Sequence, residues 1–291
     1  MEELIKRALK FKDVLLIRVV RNIAQFGPTT NLDIFENYMV DLIRLTQEDS
    51  ENTDLLVEVM GTLVYVTTER WGEVLAETNF IEFLHNNLVN GYAEDDVMLE
   101  TIMLIGTICR NDECAEKIAS SYLIGQLHSL LGAKQEDDEI VQQILYTYLK
   151  MLMFKVTRDI VLHQTQIVSI VLELLNDKNP NIRQIVNSIL EVVQLHDDMW
   201  KQQIKTRKFQ VHNQVYLQLM EEYEQKYAGD EEAAAYYDYY YGDGQEGIEV
   251  GEDGEEYDSE DNHWYDNNDL AQRIWEERDE AGDYQGIMQI N

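Results

Sequence analysis

The side chains best suited to chemistry are few in this 291-residue chain, and they stand apart. Histidines occupy positions 85, 128, 163, 196, 212 and 263, and none forms the HExxH spacing that puts two imidazoles on one helix face around a metal. Cys109 and Cys114 fit neither a zinc-ligand spacing nor the CxxC redox pair, which predicts two buried or half-buried helix thiols in a reducing compartment. The sequence has no P-loop, no GxGxxG following a strand and no GxSxG elbow. Acid clusters remain. "EDD" recurs at 94–96 and 136–138, and the recurrence marks loop and cap positions rather than an acid–base pair. "GEDGEEYDSED" at 251–261 lacks the fixed ligand spacing of an EF-hand and reads as a solvated run. The residues therefore predict no catalytic site, no cofactor and no metal.

Charge narrows the partners. Lys plus Arg number 23 against 56 Asp plus Glu, a formal net charge of −33. Nucleic acid, anionic membrane and the acidic microtubule surface should all repel the chain on average, and a basic segment should be drawn to it. The imbalance is steepest after residue 227, where 21 acids face two bases, a net −19; the preceding residues then carry −14. Lys201, Lys205, Arg207 and Lys208 form a local basic run, expected as a salt-bridge surface that could contact the acidic tail. The opening "MEELIKRALKFKDVLLIRVV" has mixed charge and no long apolar run, and nothing further on approaches a membrane span. A cytosolic protein is expected.

The elements that carry these residues repeat. Starts marked by an acid or a proline fall at Asp13, Asp54, Asp96, Asp138 and Pro180, spaced 41, 42, 42 and 42 residues apart. Each is followed by an apolar-striped helix, as in "PNIRQIVNSILEVV". Aspartate ahead of a first turn accepts from free helix N–H groups, and proline there presets φ. A second helical unit lies between these starts, ending in stretches such as "FIEFLHNNLV" and "YLIGQLHSLL", and period-two alternation is missing. Helices alone at a period near 42 are the armadillo/HEAT signature, in which stacked repeats share one core. The expectation is an all-α, right-handed superhelical solenoid with a C-terminal helical cap over residues 1–227, followed by an acidic Tyr/Gly-rich tail over 228–291. The tail is predicted to be disordered over 228–262, with a short amphipathic helix over 264–278 and Ser259 in an acidic context that some kinases favour. Gly61 and Gly106 fall inside third helices, where glycine costs up to about 1 kcal/mol against alanine, so at least one is expected to permit close packing.

In such a stack the third helix of each repeat lines the concave groove, the default binding face. Positions left over by the apolar stripe form one ladder of Asn22, Tyr65, Thr107, Lys150 and Glu191. Another runs Arg18, Thr62, Leu104, Tyr146 and Asn187, and an N-terminal row holds Glu58, Glu100, Gln142 and Gln184. The regular Trp/Asn array of a nuclear-import receptor is missing. The ladder residues, Leu104 excepted, are the candidate partner-binding set.

Six stretches carry a resemblance: "LLIRVVRNIAQFGPTTN", "LLVEVMGTL", "EDDVMLETIMLIGTI", "QEDDEIVQQILY" with "TRDIVLHQTQ", "NDKNPNIRQ" and "MWKQQIKTRKFQVHNQ". In this order, over roughly residues 10 to 220, they resemble the kinesin-associated protein family, the non-motor armadillo subunit of heterotrimeric kinesin-II, and look like its C-terminal half. The resemblance implies a non-enzymatic adaptor. It would bind the C-terminal tails of two motor heavy chains and link them to cargo or ciliary transport proteins, meeting the microtubule only indirectly. It also implies a cytoplasmic, cytoskeleton-associated protein of the cilium and basal body. Two other readings stay open: a generic armadillo scaffold of the nuclear-transport or adhesion type, and an acidic regulatory subunit that sequesters basic substrates.

Overall fold

A computed structural model describes residues 1–28, 32–89 and 91–214. The chain divides into a unit of Met1–Lys201 and a second of Gln202–Asn291. Within the first unit the helices fall into a pair, α1 (Glu2–Phe11) and α2 (Val14–Phe26), and four triplets. The triplets are α3 (Leu32–Glu36), α4 (Met39–Glu48) and α5 (Thr53–Val64); α6 (Trp71–Glu77), α7 (Phe80–Asn87) and α8 (Asp95–Ile108); α9 (Asp112–Ala119), α10 (Leu123–Ala133) and α11 (Asp138–Leu152); then α12 (Lys155–Gln164), α13 (Ile167–Glu173) and α14 (Pro180–His196). A last helix, α15 (Asp198–His212), begins in the first unit and ends in the second. The described residues contain no strand, as the absence of period-two alternation predicts.

The five helices expected from the repeat are α2, α5, α8, α11 and α14, and they pack in that order, each against the next. Their starts need small corrections. Asp13 does cap α2, accepting from the Leu16 amide at 3.0 Å, and Pro180 opens α14 behind Asn179. Elsewhere the cap lies one or two residues earlier than expected. Asn52 accepts from the Leu55 amide at 3.2 Å, Asp137 from Glu139 and Ile140 at 3.1 Å, and Glu94 precedes α8 without a side-chain bond to the first turn. A cap must sit in extended backbone with its oxygen turned back on the first turn, so Asp54, Asp96 and Asp138 move into the helices, where their charge favours the positive end of the dipole.

The third helices α5, α8 and α11 are buried nearly all round. Val59, Met60, Leu63, Ile102, Ile105, Ile144 and Leu145 are each fully buried. Large side chains fill the space between these helices and the outer ones and also satisfy their own polar tips. Trp71 is fully buried, donates through Nε1 to the Val66 carbonyl at 2.8 Å and stacks on Phe80 with ring centroids 6.4 Å apart. Tyr148 on α11 donates its hydroxyl to the Ile124 carbonyl of α10 at 3.0 Å. Threonines join successive third helices. Thr107 on α8 donates to the Val64 carbonyl of α5 at 2.9 Å, and Thr147 on α11 to the Ile102 carbonyl of α8 at 3.0 Å. At the start of the row α2 keeps Leu15 and Phe26 exposed.

Cys109 and Cys114 are both free and buried. Burial pushes their thiols up to about 12 and about 11, so both stay protonated at neutral pH and act as small apolar groups. The expected domain boundary at 227/228, the later part of the cap segment from Val215 on, the disordered stretch, the helix over 264–278 and Ser259 all lie outside the described residues.

Both helix glycines meet a neighbour. A Cβ on Gly106 would stand 3.1 Å from Thr147 Oγ1 and 3.7 Å from its Cα, so a larger side chain would wedge α8 away from α11. Gly106→Leu is expected to lower the melting temperature, at a cost of about 1–3 kcal/mol from overpacking. An unchanged melt by circular dichroism would show that this contact does not limit the spacing.

Candidate functional site

The candidate residues sit on the third-helix row as expected, but the row is more deeply packed than a simple stripe implies. Thr62 is fully buried, and its hydroxyl is spent on the Glu58 carbonyl at 2.8 Å. Leu104 is fully buried as well. Neither offers a surface to a partner, which corrects their place in the ladder: a helix flanked by neighbours on two sides has no solvent at positions that a one-sided stripe would leave open. Thr107 is half-buried and holds α5 through its hydroxyl. The residues with solvent access are Arg18, Asn22 and Gln184, which are exposed, and Tyr65, Gln142, Tyr146, Lys150, Asn187 and Glu191, which are intermediate. Lys150 Nζ lies 5.1 Å from the centre of the Tyr146 ring, a cation–π contact between the fourth rungs of the two ladders, both on α11. Asn187 donates to the Arg183 carbonyl one turn back at 3.0 Å.

Glu58 and Glu100 are the larger correction. The sequence reading places them at the open ends of adjacent helices, ready to pair with a partner's bases. Both are only 6% exposed, and both are already paired. Arg18 Nε on α2 donates to Glu58 Oε1 at 2.6 Å. Arg21, also on α2, passes over α5 and donates through Nη2 to Glu100 Oε1 on α8, with its Nη1 standing 3.7 Å from Glu58 Oε2. Arg21 can cross because Gly61 has no side chain; a Cβ there would overlap its guanidinium. One arginine thus spans three consecutive third helices through a notch in the middle one. Glycine inside a helix costs up to about 1 kcal/mol against alanine, and the crossing is what that cost secures.

The pairing does not fully offset burial. Desolvation is the leading influence on Glu100 and holds its carboxyl above the ordinary glutamate range, with the Arg21 charge pulling the other way. Burial also raises the Tyr65 phenol, again against the Arg21 charge. On both glutamates the second oxygen accepts no hydrogen bond. Beside Glu58 lies a recess of about 730 Å³ between the start of α5 and the start of α8. Asp49, Glu51, Asp54, Glu58, Glu94 and Asp96 line it, with Arg18 as its one lining cation. Sequence reasoning missed this recess, although two of its acids, Glu94 and Asp96, belong to an "EDD" that it read as loop and cap.

The two arginines should differ in weight. Arg21 is 22% exposed and is the cation paired with buried Glu100, so Arg21→Ala strands that carboxylate, leaves Glu58 to Arg18 alone, and is expected to cost about 3 kcal/mol in urea unfolding. Arg18 is 54% exposed, and Arg18→Ala should cost under about 1 kcal/mol. Equal losses would show that the crossing over Gly61 carries no special load. The raised Glu100 carboxyl fixes a pH dependence. The folded chain binds that proton more tightly than the unfolded chain, so the group's contribution is present below the ordinary glutamate value and is lost as pH rises through the raised one. The stability of the parent minus that of Glu100→Gln should therefore fall with rising pH across that interval and level off above it.

Comparison with known proteins agrees with this architecture. A designed armadillo repeat protein, solved in complex with the peptide (KR)4, is similar in fold over 76% of this chain and 87% of its own, at 15% identity and a TM-score of 0.56. Computationally designed armadillo repeat proteins for modular peptide recognition match at a TM-score of 0.56 and 15% identity, over 71% of this chain and 87% of theirs. An engineered protein matches over 81% of this chain and 93% of its own, at 15% identity and a TM-score of 0.59. These likenesses show the fold, an armadillo-type solenoid. The sequence profile described as kinesin-associated protein matches residues 1–258, most of the length, and on that match this chain belongs to the kinesin-associated protein family.

Proposed function

We propose that this chain is a non-enzymatic adaptor of heterotrimeric kinesin-II, binding the C-terminal tails of two motor heavy chains on the face of its third-helix row and linking them to cargo. The family match over residues 1–258 is the observation that carries this reading. The physical character of the row supports it. Tyr65 and Tyr146 are part-exposed rings on α5's C-terminal end and on α11, large contact surfaces with few rotors to immobilise. The acidic recess and the net charge of −33 suit basic tail segments. A designed relative in fold was solved with a peptide of alternating Lys and Arg, an example of the same scaffold holding a basic segment. The same charge would repel a microtubule, so track binding falls to the motors and this chain meets the filament indirectly. The setting is microtubule-based transport, intraciliary transport included, in the cytoplasm and at the cilium and basal body. The family match disfavours both a generic scaffold of the nuclear-transport or adhesion type and an acidic regulatory subunit.

Binding of a purified motor-tail pair tests the reading. Tyr65→Ala/Tyr146→Ala should weaken it by about 2 kcal/mol or more, the usual cost of losing a buried aromatic anchor. Glu77→Lys, an exposed change on the outer helix α6, should leave it unaltered. Glu58 and Glu100 are poor probes by charge reversal, because a lysine there would face Arg18 and Arg21 and disturb the fold itself. Unchanged binding of the tyrosine variant together with loss on the outer helix would place the partner on the opposite face.

A further inference from the structure

We infer that Arg18 is a resident cation on Glu58, occupying the place that a guanidinium or ammonium group of an arginine- and lysine-rich peptide takes when such a segment enters the recess between α5 and α8. The inference rests on the reading that this face takes basic motor-tail segments, and it names one point of exchange within it.

Three observations converge on Glu58. Its side chain is buried on the helix row yet lines the recess, so a carboxylate already stripped of most of its water is reachable from one direction. Its Oε2 accepts no hydrogen bond; Arg21 Nη1 stands 3.7 Å away, outside hydrogen-bond reach. Its Oε1 is held at 2.6 Å by Arg18, whose side chain is 54% exposed and has room to move into solvent once another cation takes its place. Arg21 cannot do the same. It is 22% exposed, lies in the notch above Gly61 and is bonded at its far end to Glu100. The two arginines are thus unequal: one is locked across the row, and the other rests on a buried carboxylate at the mouth of an acidic recess.

The surroundings leave cation capacity over. The recess is lined by six carboxylates and a single guanidinium. Asp49 is further bridged to Lys12 at 2.7 Å, and Glu94 receives the Thr53 hydroxyl at 3.4 Å. A basic segment entering here gains the field of Glu51, Asp54, Glu94 and Asp96 at the rim. To reach Glu58 it must displace Arg18. The displaced arginine is itself repelled by the incoming charge, and its departure opens the carboxylate with one oxygen already lacking a hydrogen-bond donor. Arg18 therefore keeps Glu58 neutralised in the unbound chain, avoiding a bare buried carboxylate, and sets a threshold that weakly basic or singly charged segments do not cross.

The test uses the full chain and a fluorescent octapeptide of alternating Lys and Arg, titrated at fixed ionic strength and followed by anisotropy. If Arg18 competes for Glu58, Arg18→Ala should bind the peptide about three- to tenfold more tightly than the parent, the gain expected when one charged hydrogen bond no longer has to be broken. In a Glu58→Gln background the same Arg18→Ala change should give no gain, because the contested carboxylate is gone. If Glu58→Gln does not fold, Lys12→Ala is the comparison: it removes an equal charge next to the recess and leaves Arg18 in place, so its gain should be smaller than that of Arg18→Ala. The inference is overturned if Arg18→Ala binds no better than the parent, undetectable binding by both included. It is equally overturned if the gain persists in the Glu58→Gln background or is matched by Lys12→Ala, because the effect is then a change of general field and not exchange at one site. The motor-tail test with Tyr65 and Tyr146 shares no residue with this one, so either result can fail alone.

Discussion

A helix that is apolar on two sides has to be covered on two sides, and the row α2, α5, α8, α11 and α14 is what that requirement builds. Fully buried positions on α5 and α8 include neighbours in sequence such as Val59 with Met60 and Leu104 with Ile105, which cannot share a single narrow stripe. Such a helix has no stable place at the surface of a small domain. It is stable only between a predecessor and a successor, with two shorter helices closing the outside. The repeat and the all-helical character follow from that one constraint. So does the use of threonine between rungs: Thr107 and Thr147 are small enough for the helices to approach, and each places a hydroxyl on the carbonyl of the preceding helix.

Charge is a problem in so dense a row. A carboxylate whose solvent has been removed is expensive, and Glu58 and Glu100 are two of them, one repeat apart on adjacent helices. The chain brings a third helix into the solution. Arg21 comes from α2, crosses α5 at the only kind of residue that leaves room, and reaches α8. The cluster of Arg18, Arg21, Glu58 and Glu100 is neutral as a whole, and the upward displacement of the Glu100 carboxyl shows that neutrality alone does not remove the desolvation cost. A buried ionic group that contributes little net stability can still specify geometry. Here it specifies register: Arg21 meets both acids only when three successive repeats are stacked in one arrangement.

The repeat was legible because it is local. Asp13 and Pro180 open their helices, and helix type follows from periodicity over a dozen residues. The caps at Asn52, Glu94 and Asp137 lie one or two residues before the acids that mark them, since several acids crowd each start and only backbone conformation decides which one turns back on the helix. The site was legible in its helices and not in its exposures. Tyr65, Tyr146 and Asn187 retain solvent, whereas Thr62 and Leu104 do not, because a period assigns a face without saying how many neighbours that face meets. Arg21 and Glu100 are 79 residues apart, a separation at which no sequence period operates. The one local sign of their contact was Gly61, a helix breaker placed where an ordinary third helix would carry a side chain.

For a member of a family associated with kinesin, the division of charge along the chain has a consequence. The excess of acid gives a long-range attraction for any basic segment, and long-range attraction governs how often partners meet more than which partner stays. Selectivity has to come from contacts that act only at close approach. The third-helix row supplies two kinds. On the proposed reading, part-exposed rings such as Tyr65 and Tyr146 would reward a chain that lies flat along the row. The paired glutamates do the opposite: their carboxylates are already answered by the chain's own arginines, so a single lysine gains little there. An acidic scaffold that left those carboxylates bare would hold every basic peptide in its surroundings. Answering them internally keeps the field and withholds the contact, and under the proposed function a partner would then have to match the row in shape as well as in charge.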